Sequence, residues 1–319
     1  MYEKIIAIRE EGYGRLQCRD GNLSSGFWSR YVFSTLSTAM EFAMRGAELR
    51  AKIYAGVIIR RPATPASLAL AKAVMSAVSQ VLGPDPRRAA EPVSDVYEAL
   101  ADLRRQVATD RRWRSAIAAI VSETGFDLDC QLFDAARLRS LPSGVPEAAA
   151  PRGAYAVHRD TWYANPACQV NWWLAVHDLE ETETFAFYPK YFATPIANDS
   201  SKLDLTKPWY GTSPPPAPDA IVRPALSEAV RFSLAEGEML LFSAAQLHGG
   251  MPVTSGLIRF SIDFRTVDEN DFQAGLGPPM LDVECRGQAV VDYVKVAYGR
   301  PAGFVSSGNP ERLSSAKQR

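Results

Sequence analysis

This 319-residue sequence has no excess of charge of either sign and no paired cysteines. Lys and Arg total 35 against 36 Asp and Glu, whereas a nucleic-acid-binding protein needs a basic face that displaces counterions. The four cysteines lie far apart, which excludes a disulfide scaffold and a zinc knuckle. They are Cys18, Cys130, Cys168 and Cys285. We therefore expect a protein of the reducing cytoplasm that does not bind nucleic acid.

Long apolar runs are also missing. No run approaches the roughly 18 residues of a membrane helix, and residues 1–11 carry acids where a secretory signal needs an unbroken apolar segment. Hydrophobic residues still make up 47% of the chain and charged residues 22%, which is ordinary for a globular protein. The sequence predicts a globular protein that acts on a small molecule and not at a membrane. It leaves the oligomeric state open.

The pattern of apolar and polar residues changes near residue 127. Residues 1–126 are rich in helix formers, and residues 127–300 alternate short apolar segments with Gly, Pro, Asn and Asp, as antiparallel strands of a sandwich or barrel do. Helices are predicted at 38–52, 67–81, 94–105 and 110–122. Strands are predicted at 129–138, 154–160, 169–176, 184–188, 229–234, 238–242 and 257–267. The Pro-rich segment 193–226 is expected to form a lid, and residues 301–319 a tail.

The chain has only three histidines, so metal sites are quickly enumerated. Side chains alternate along a strand, which places His158 and Asp160 on one face while Arg159 points away. With His248, these residues supply the two histidines and one carboxylate of a non-haem Fe(II) site. His177-Asp178 is the rival pair, but its side chains point to opposite faces and acidic residues follow it. We predict a metal site at His158, Asp160 and His248 and a solvated turn at His177.

A buried anion site is predicted after His248. On a strand, Arg259 and Ser261 face the same way. A buried Arg is costly unless it meets an anion, and the planar guanidinium group can bind a carboxylate through two hydrogen bonds. Three protein ligands leave three metal positions open, which suits a chelating cosubstrate with a distal carboxylate together with dioxygen. Arg265 shares the face of Arg259, so either could bind that carboxylate; the neighbouring hydroxyl of Ser261 favours Arg259.

The ordered set His158-Arg159-Asp160, His248 and Arg259-Phe260-Ser261 resembles the Fe(II)/2-oxoglutarate-dependent oxygenases, most closely their phytanoyl-CoA dioxygenase-like branch. The resemblance spans roughly residues 130–267. It implies an α+β, mainly β fold: a double-stranded β-helix (jelly-roll, cupin-like) with an N-terminal helical support layer, in one catalytic domain over 1–319. It implies that His158, Asp160 and His248 hold Fe(II), and that Arg259 and Ser261 bind the C5 carboxylate of 2-oxoglutarate.

Residues that contact the substrate are harder to predict. Nine aromatic residues fall within 162–192, and most are expected to fill the barrel. Asn171 shares a strand face with Gln169, and we expect it to bond cosubstrate or substrate. Candidate substrate contacts are Tyr163, Trp173, Lys190 and Arg265. Of the Pro-Gly-Ser-His segment that branch members often carry, Phe187–Phe192 retains only the proline, so no acyl-CoA substrate is inferred.

The predicted reaction is hydroxylation, desaturation or cyclisation of a small polar metabolite, such as an amino acid or a natural-product intermediate. Related halogenases have Ala or Gly at the carboxylate position, so Asp160 favours these reactions over halogenation. Two alternatives stay open: a jelly-roll metalloenzyme with the same triad that does not use 2-oxoglutarate, and a non-catalytic barrel that binds a ligand.

Overall fold

The computed structural model describes residues 7–9, 32–34, 45–88, 93–150, 153–207 and 217–295. The helices are α1 (Gly46–Tyr54), α2 (Pro65–Leu82), α3 (Val93–Ala99), α4 (Ala101–Thr109), α5 (Arg111–Glu123) and α6 (Glu269–Gln273). The strands are β1 (Ala7–Arg9), β2 (Val32–Ser34), β3 (Ile59–Arg61), β4 (Gln131–Phe133), β5 (Arg137–Leu141), β6 (Val157–His158), β7 (Gln169–Ala175), β8 (Ala186–Phe187), β9 (Met239–Ser243), β10 (His248–Gly249), β11 (Arg259–Asp268) and β12 (Val294–Lys295).

The strands pair antiparallel in a large and a small sheet. The large sheet has the order β12-β4-β11-β7-β9-β3, with β5 also paired to β11, and the small sheet has the order β6-β10-β8. β1 and β2 form a separate pair. Strand β11 is the centre of the large sheet because its ten residues pair with β7 on one side and with β5 and then β4 on the other. The described part of the chain is thus a mixed helix and sheet structure with antiparallel sheets.

The two faces of the large sheet have different neighbours. Alternate apolar residues of β7 and β11 pack with helices α1 to α5 in the largest buried cluster, as period-two alternation requires. They are Val170, Trp172, Leu174, Phe260, Ile262 and Phe264. Trp172 stacks on Phe264 with ring centroids 5.4 Å apart. The opposite face carries most of the polar residues of both strands, so the helices fix which side of the sheet can hold a site. They are Gln169, Asn171, Arg259, Ser261, Asp263 and Arg265.

Helix α2 is apolar enough to be mistaken for a membrane span. Its 18 residues have a mean hydropathy of 1.3, so by length and composition it passes the test that we expected no segment to pass. Its buried residues Leu70, Val74 and Val78 pack with α5 and the large sheet. Core helices satisfy the same test, so this composition alone does not indicate a span.

The start of α2 is fixed by a capping box. The Thr64 hydroxyl accepts a hydrogen bond from the Ser67 backbone N–H (3.2 Å), and the Ser67 hydroxyl accepts one from the Thr64 N–H (2.8 Å). Replacing Thr64 with Ala should lower the free energy of unfolding by about 1 kcal/mol, as measured by urea denaturation. Thr109→Ala is the control, because that exposed hydroxyl caps no helix N-terminus. Equal stability of the two variants would show that the box contributes nothing.

Several sequence predictions need correction. The predicted helix 94–105 is divided at Leu100, which is fully buried and has φ −87° and ψ 0°. The short strand β3 interrupts the region predicted as helical and pairs with β9. Residues 229–234 form only isolated bridges, at Val230 and Leu234.

Other expectations fall partly outside the described residues. Residues 38–44 of the first predicted helix, Cys18, residues 208–216 of the Pro-rich segment and the 301–319 tail all lie there. The three cysteines within the described residues are free thiols. In the described part of the Pro-rich segment, a 3₁₀ turn spans Ser200–Lys202, and a bridge joins Asn198 to Ala220.

Candidate metal centre

The small sheet brings together two histidines that are far apart in the sequence. In the antiparallel register of β6 and β10, His248 lies directly opposite His158, and their ring centroids are 4.5 Å apart. Asp160 begins the 3₁₀ turn that follows β6. One ligand atom from each of the three residues lies within 4.8 Å of the others. The structure therefore places all three predicted ligands around one point.

Backbone carbonyls select the ring nitrogen that each histidine leaves free. His158 Nδ1 lies 3.1 Å from the Ala156 carbonyl oxygen, and His248 Nδ1 lies 2.9 Å from that of Gln246. A carbonyl only accepts, so both Nδ1 atoms donate and both Nε2 atoms keep a lone pair. Burial lowers the pKa of His248 to about 4. The ring is therefore neutral near pH 7, which is the form that binds a metal.

Asp160 presents one bound and one free carboxylate oxygen. Its Oδ2 accepts hydrogen bonds from Gln169 Nε2 (3.1 Å) and Arg265 Nε (3.0 Å). Its Oδ1 is buried and has no hydrogen-bond partner within the described residues, although His158 Nε2 lies 3.3 Å away. Burial alone would raise the pKa of Asp160, but the charge of Arg265 holds it well below its ordinary value. Two imidazole nitrogens and one ionised oxygen fit the facial triad of non-haem iron.

Arg159 points away from this centre, as strand alternation predicts. Its side chain is buried, forms an ion pair with Asp282 at 3.1 Å and donates to the carbonyl of Tyr191 at 2.6 Å. Asp282 Oδ2 also accepts from the Ile196 N–H. Arg159 therefore ties the turn beside the metal ligands to the start of the Pro-rich segment.

Two side chains on β11 have buried polar atoms without a hydrogen-bond partner within the described residues. Arg259 is 8% exposed and its Nε has no hydrogen-bond partner within the described residues; the same holds for the Ser261 hydroxyl. Burial and the charge of Arg139 lower the pKa of Arg259 to about 10, so the guanidinium stays charged near pH 7. An unpaired buried donor costs about 1–3 kcal/mol. Both groups are thus suited to an anion that binds on this face of the strand.

Arg265 does not compete with Arg259 for such an anion. Its Nε binds Asp160, and its Nη1 binds Asp134 Oδ2 at 2.9 Å. Asp263, the other acid on this face, forms an ion pair with Arg139. Arg265 lines the cavity as predicted, but its charge is neutralised by two carboxylates. The alternative in which Arg265 holds a cosubstrate carboxylate does not fit this pairing.

The triad and Arg259 line one cavity of about 480 Å³. Asn171, Tyr163 and Trp173 also line it, with the aromatic rings of Phe185 and Phe242. The ring of Phe242 lies 5.0 Å from that of His248. The face of β7 that carries Asn171 and Trp173 is therefore the cavity face.

Lys190 does not line this cavity. It lies in the 3₁₀ turn Pro189–Tyr191, its side chain is 59% exposed, and it forms an ion pair with Glu228. The turn directs Lys190 to the surface and away from the cavity, which does not fit the predicted substrate contact.

His177 has a structural position. It lies in a bend, next to the exposed Asp178, but its Nε2 accepts a hydrogen bond from the Phe260 backbone N–H at 3.0 Å. Burial lowers its pKa to about 4. His177 thus joins the end of β7 to β11, and the predicted solvated turn is only partly correct.

The pKa of His177 predicts a pH dependence of stability. Because it lies below the ordinary value of 6.5, the unfolded state binds more protons between pH 6.5 and pH 4, so stability falls as pH is lowered through this window. We expect the unfolding temperature of His177→Gln to fall less than that of the wild type between pH 7 and pH 5. His248 shifts in the same direction in both proteins, so the difference reports His177. Parallel curves would contradict the assignment.

Two residues around the metal ligands were not predicted to have a role. Asp134 pairs with Arg265, and Tyr293 bonds Gln169 at the cavity wall. Tyr293 carried no spacing signal because it comes after the segment that holds the predicted strands.

No protein-family model matches this chain, and no curated protein matches it. Solved structures similar to it include the non-heme monooxygenase ThoJ in its apo form (16% identity, 69% of this chain and 77% of that chain, TM-score 0.37). A second is the epimerase SnoN in complex with Fe3+, alpha ketoglutarate and nogalamycin RO (15% identity, 69% of this chain and 84% of that chain, TM-score 0.36). A third is EvdO2 from Micromonospora carbonacea var. aurantiaca complexed with 2-oxoglutarate (14% identity, 74% of this chain and 93% of that chain, TM-score 0.39). At these identities and TM-scores, the comparisons assign no role to any residue of this chain.

Proposed function

We propose that this chain is a non-haem Fe(II)/2-oxoglutarate-dependent oxygenase. The observation that carries the proposal is that one cavity is lined both by the ligand set of His158, Asp160 and His248 and by Arg259, whose Nε has no hydrogen-bond partner within the described residues. The buried hydroxyl of Ser261, also without a partner there, lies two residues further along the same strand. Three protein ligands leave room for a chelating 2-oxo acid and dioxygen, and the two donors on β11 suit its distal carboxylate.

The fold is interpreted accordingly. The large and small antiparallel sheets are the two halves of a double-stranded β-helix, or jelly roll, and helices α1 to α5 are its support layer. The chain is one catalytic domain over 1–319, with segment 193–226 as a lid, and it acts in the cytoplasm. What supports this reading is that the cavity is lined by strands of both sheets while the helices cover the opposite face of the large sheet.

Different side chains would bind the metal and the cosubstrate. His158 Nε2, His248 Nε2 and Asp160 Oδ1 would hold the metal, while Arg259 and Ser261 would orient the cosubstrate. When bound, iron with its cosubstrate and dioxygen supplies the oxidative chemistry that amino-acid side chains lack.

Other side chains keep Asp160 ionised and exclude water from the cavity beside the metal ligands. Arg265 keeps Asp160 ionised by its charge. The rings of Trp173, Phe185 and Phe242 line the cavity beside the metal ligands and exclude water from the reacting atoms.

The substrate is a small polar metabolite, such as an amino acid or a natural-product intermediate, that is hydroxylated, desaturated or cyclised. A cavity of about 480 Å³ falls within the range of small-molecule sites. Two ion pairs contribute to its wall, between Arg137 and Asp134 and between Arg139 and Asp263. Because these charges are already paired, polar groups of the substrate would be recognised mainly by hydrogen bonds. Tyr163, which lines the cavity, is the candidate partner.

Succinate release tests the proposal. The Fe(II)-loaded protein, supplied with 2-oxoglutarate and oxygen, is screened against amino acids and natural-product intermediates, with oxygen uptake and succinate measured together. We expect one class of compound to increase oxygen uptake and succinate release, with one succinate formed for each oxygen molecule consumed. Oxygen uptake without succinate would identify a triad metalloenzyme that does not use 2-oxoglutarate. Failure to bind iron would leave a barrel that binds a ligand without catalysis.

A further inference from the structure

A chain of buried hydrogen bonds leads from the C-terminal part of the described structure to the metal ligands. The Tyr293 hydroxyl donates to Gln169 Oε1 at 2.5 Å. Gln169 Nε2 donates to Asp160 Oδ2 at 3.1 Å and to Asn171 Oδ1 at 2.7 Å. All four side chains are buried. We call these residues, Tyr293, Gln169, Asp160 and Asn171, the Tyr293 relay.

The donors and acceptors of the four side chains fix the direction of the bonds in the relay. Gln169 turns its Nε2 to Asp160 Oδ2, because a carboxylate that binds a metal has no hydrogen to donate. The second Nε2 hydrogen then needs an acceptor, which fixes Oδ1 as the atom that Asn171 turns toward Gln169. Gln169 Oε1 is left for Tyr293. Burial raises the pKa of Tyr293 well above its ordinary value, so its phenol keeps the proton that it donates.

The relay leaves one amide group pointing out of it. Asn171 Nδ2 is buried, has no hydrogen-bond partner within the described residues, and belongs to a side chain that lines the cavity and is 4% exposed. Asn171 pairs across the sheet with Arg265, the residue that binds Asp160. Its two hydrogens therefore lie at the metal end of the cavity and require an acceptor oxygen.

We propose that Tyr293 is a positioning residue that acts through Gln169 on both arms of the relay. One arm aims the Asp160 carboxylate at the metal, and the other presents the Asn171 Nδ2 hydrogens to the carboxylate with which a 2-oxo acid chelates that metal. The Asn171 arm rests on the proposed function, because it needs the 2-oxo acid. The Asp160 arm needs only a divalent metal, so the two can fail separately.

The Asp160 arm is tested with Co(II), whose affinity is measured by calorimetry on the full chain. We expect Tyr293→Phe to raise the dissociation constant about 10-fold, as loss of an outer partner of a ligand does, and Gln169→Leu to raise it at least as much. The Tyr293 hydroxyl also lies 3.3 Å from Asn165 Oδ1, and Asn165 Nδ2 donates to the Asp160 carbonyl. If Tyr293 acts through Gln169, Tyr293→Phe combined with Gln169→Leu should bind Co(II) no more weakly than Gln169→Leu alone. Additive losses would assign the effect of Tyr293 to Asn165 and overturn its action through Gln169. The control is Tyr54→Phe, which removes a hydroxyl bonded to Asp271 at 2.8 Å.

The Asn171 arm is tested on the Co(II)-loaded protein with two 2-oxo acids. One is 2-oxoglutarate, and the other is 2-oxopentanoate, which has the same carbon chain but no distal carboxylate. We expect Asn171→Leu to weaken both by the same factor, about 10-fold for one lost charge-assisted hydrogen bond. A change in 2-oxoglutarate affinity alone would place Asn171 at the distal carboxylate, and no change in either would overturn this arm.

The remaining outcomes are also decisive. Tyr293→Phe could lower the unfolding temperature as Tyr54→Phe does and still bind Co(II) with wild-type affinity. In that case the Tyr293 hydroxyl contributes to stability alone, and the Asp160 arm is wrong. If Tyr293→Phe does not fold, the Gln169→Leu affinity decides the same arm. Wild-type protein that binds Co(II) but neither 2-oxo acid would overturn the proposed function and the Asn171 arm together, while the Co(II) affinities still decide the Asp160 arm. Wild-type protein that binds no Co(II) would overturn all three.

Discussion

Replacing His248 with alanine should raise the dissociation constant for Fe(II) by at least about 100-fold. Loss of a hydrogen-bonding partner around a metal ligand already costs about 10- to 100-fold in affinity, and this change removes a ligand itself. It leaves His158 and Asp160 without the third donor that completes the site. Fe(II) binding is measured under anaerobic conditions by equilibrium dialysis, and turnover of 2-oxoglutarate should be lost with it.

The chain offers a matched control for this change. His177 is the third histidine, and it bonds the Phe260 backbone and lies outside the metal centre. His177→Gln keeps an acceptor for that N–H and should bind Fe(II) with wild-type affinity. If His248→Ala and His177→Gln bind Fe(II) equally well, the metal centre is not where the structure places it.

Replacing Arg259 with alanine should weaken 2-oxoglutarate binding about 100-fold while Fe(II) binding is unchanged. Truncating one partner of a buried, hydrogen-bonded charge pair costs about 2–5 kcal/mol, and 1.4 kcal/mol corresponds to tenfold. Arg259 is the residue concerned because Arg265 is already paired with two acids. Calorimetric titration of 2-oxoglutarate into the Co(II)-loaded protein measures the effect.

The ligand supplies the control for Arg259. In the wild type, 2-oxopentanoate should bind far more weakly than 2-oxoglutarate, because it has nothing to meet the guanidinium. In Arg259→Ala, the two should bind alike. Arg105→Ala, which removes an exposed guanidinium on α4, should preserve the wild-type discrimination. Discrimination that survives in Arg259→Ala would assign the distal carboxylate to another residue.

The grouping of His158, Asp160 and His248 could be predicted because the sequence has so few histidines. Strand alternation placed His158 and Asp160 on one face, and only two other histidines remained as a possible third ligand. In the structure, His248 lies directly opposite His158. The faces of β7 and β11 were predictable for the same reason: one set of alternate residues is apolar and packs against the helices.

The pairing of charges could not be predicted. Arg259 and Arg265 occupy the same face of one strand, and the sequence does not show that Asp134 and Asp160 both reach Arg265. Lys190 was misplaced because a 3₁₀ turn, not a strand, sets its direction. Tyr293 reaches Gln169 through a long-range contact, which no local pattern records.

Optical titration of the purified protein with Fe(II) and 2-oxoglutarate, under anaerobic conditions, tests the assignment of this cavity most directly. A 2-oxo acid that chelates Fe(II) through both donor atoms gives a weak charge-transfer band in the visible. We predict this band in the wild type, its loss in His158→Ala and its weakening in Arg259→Ala at equal 2-oxoglutarate concentration. Iron that binds to the wild type without producing the band would contradict the proposed use of 2-oxoglutarate.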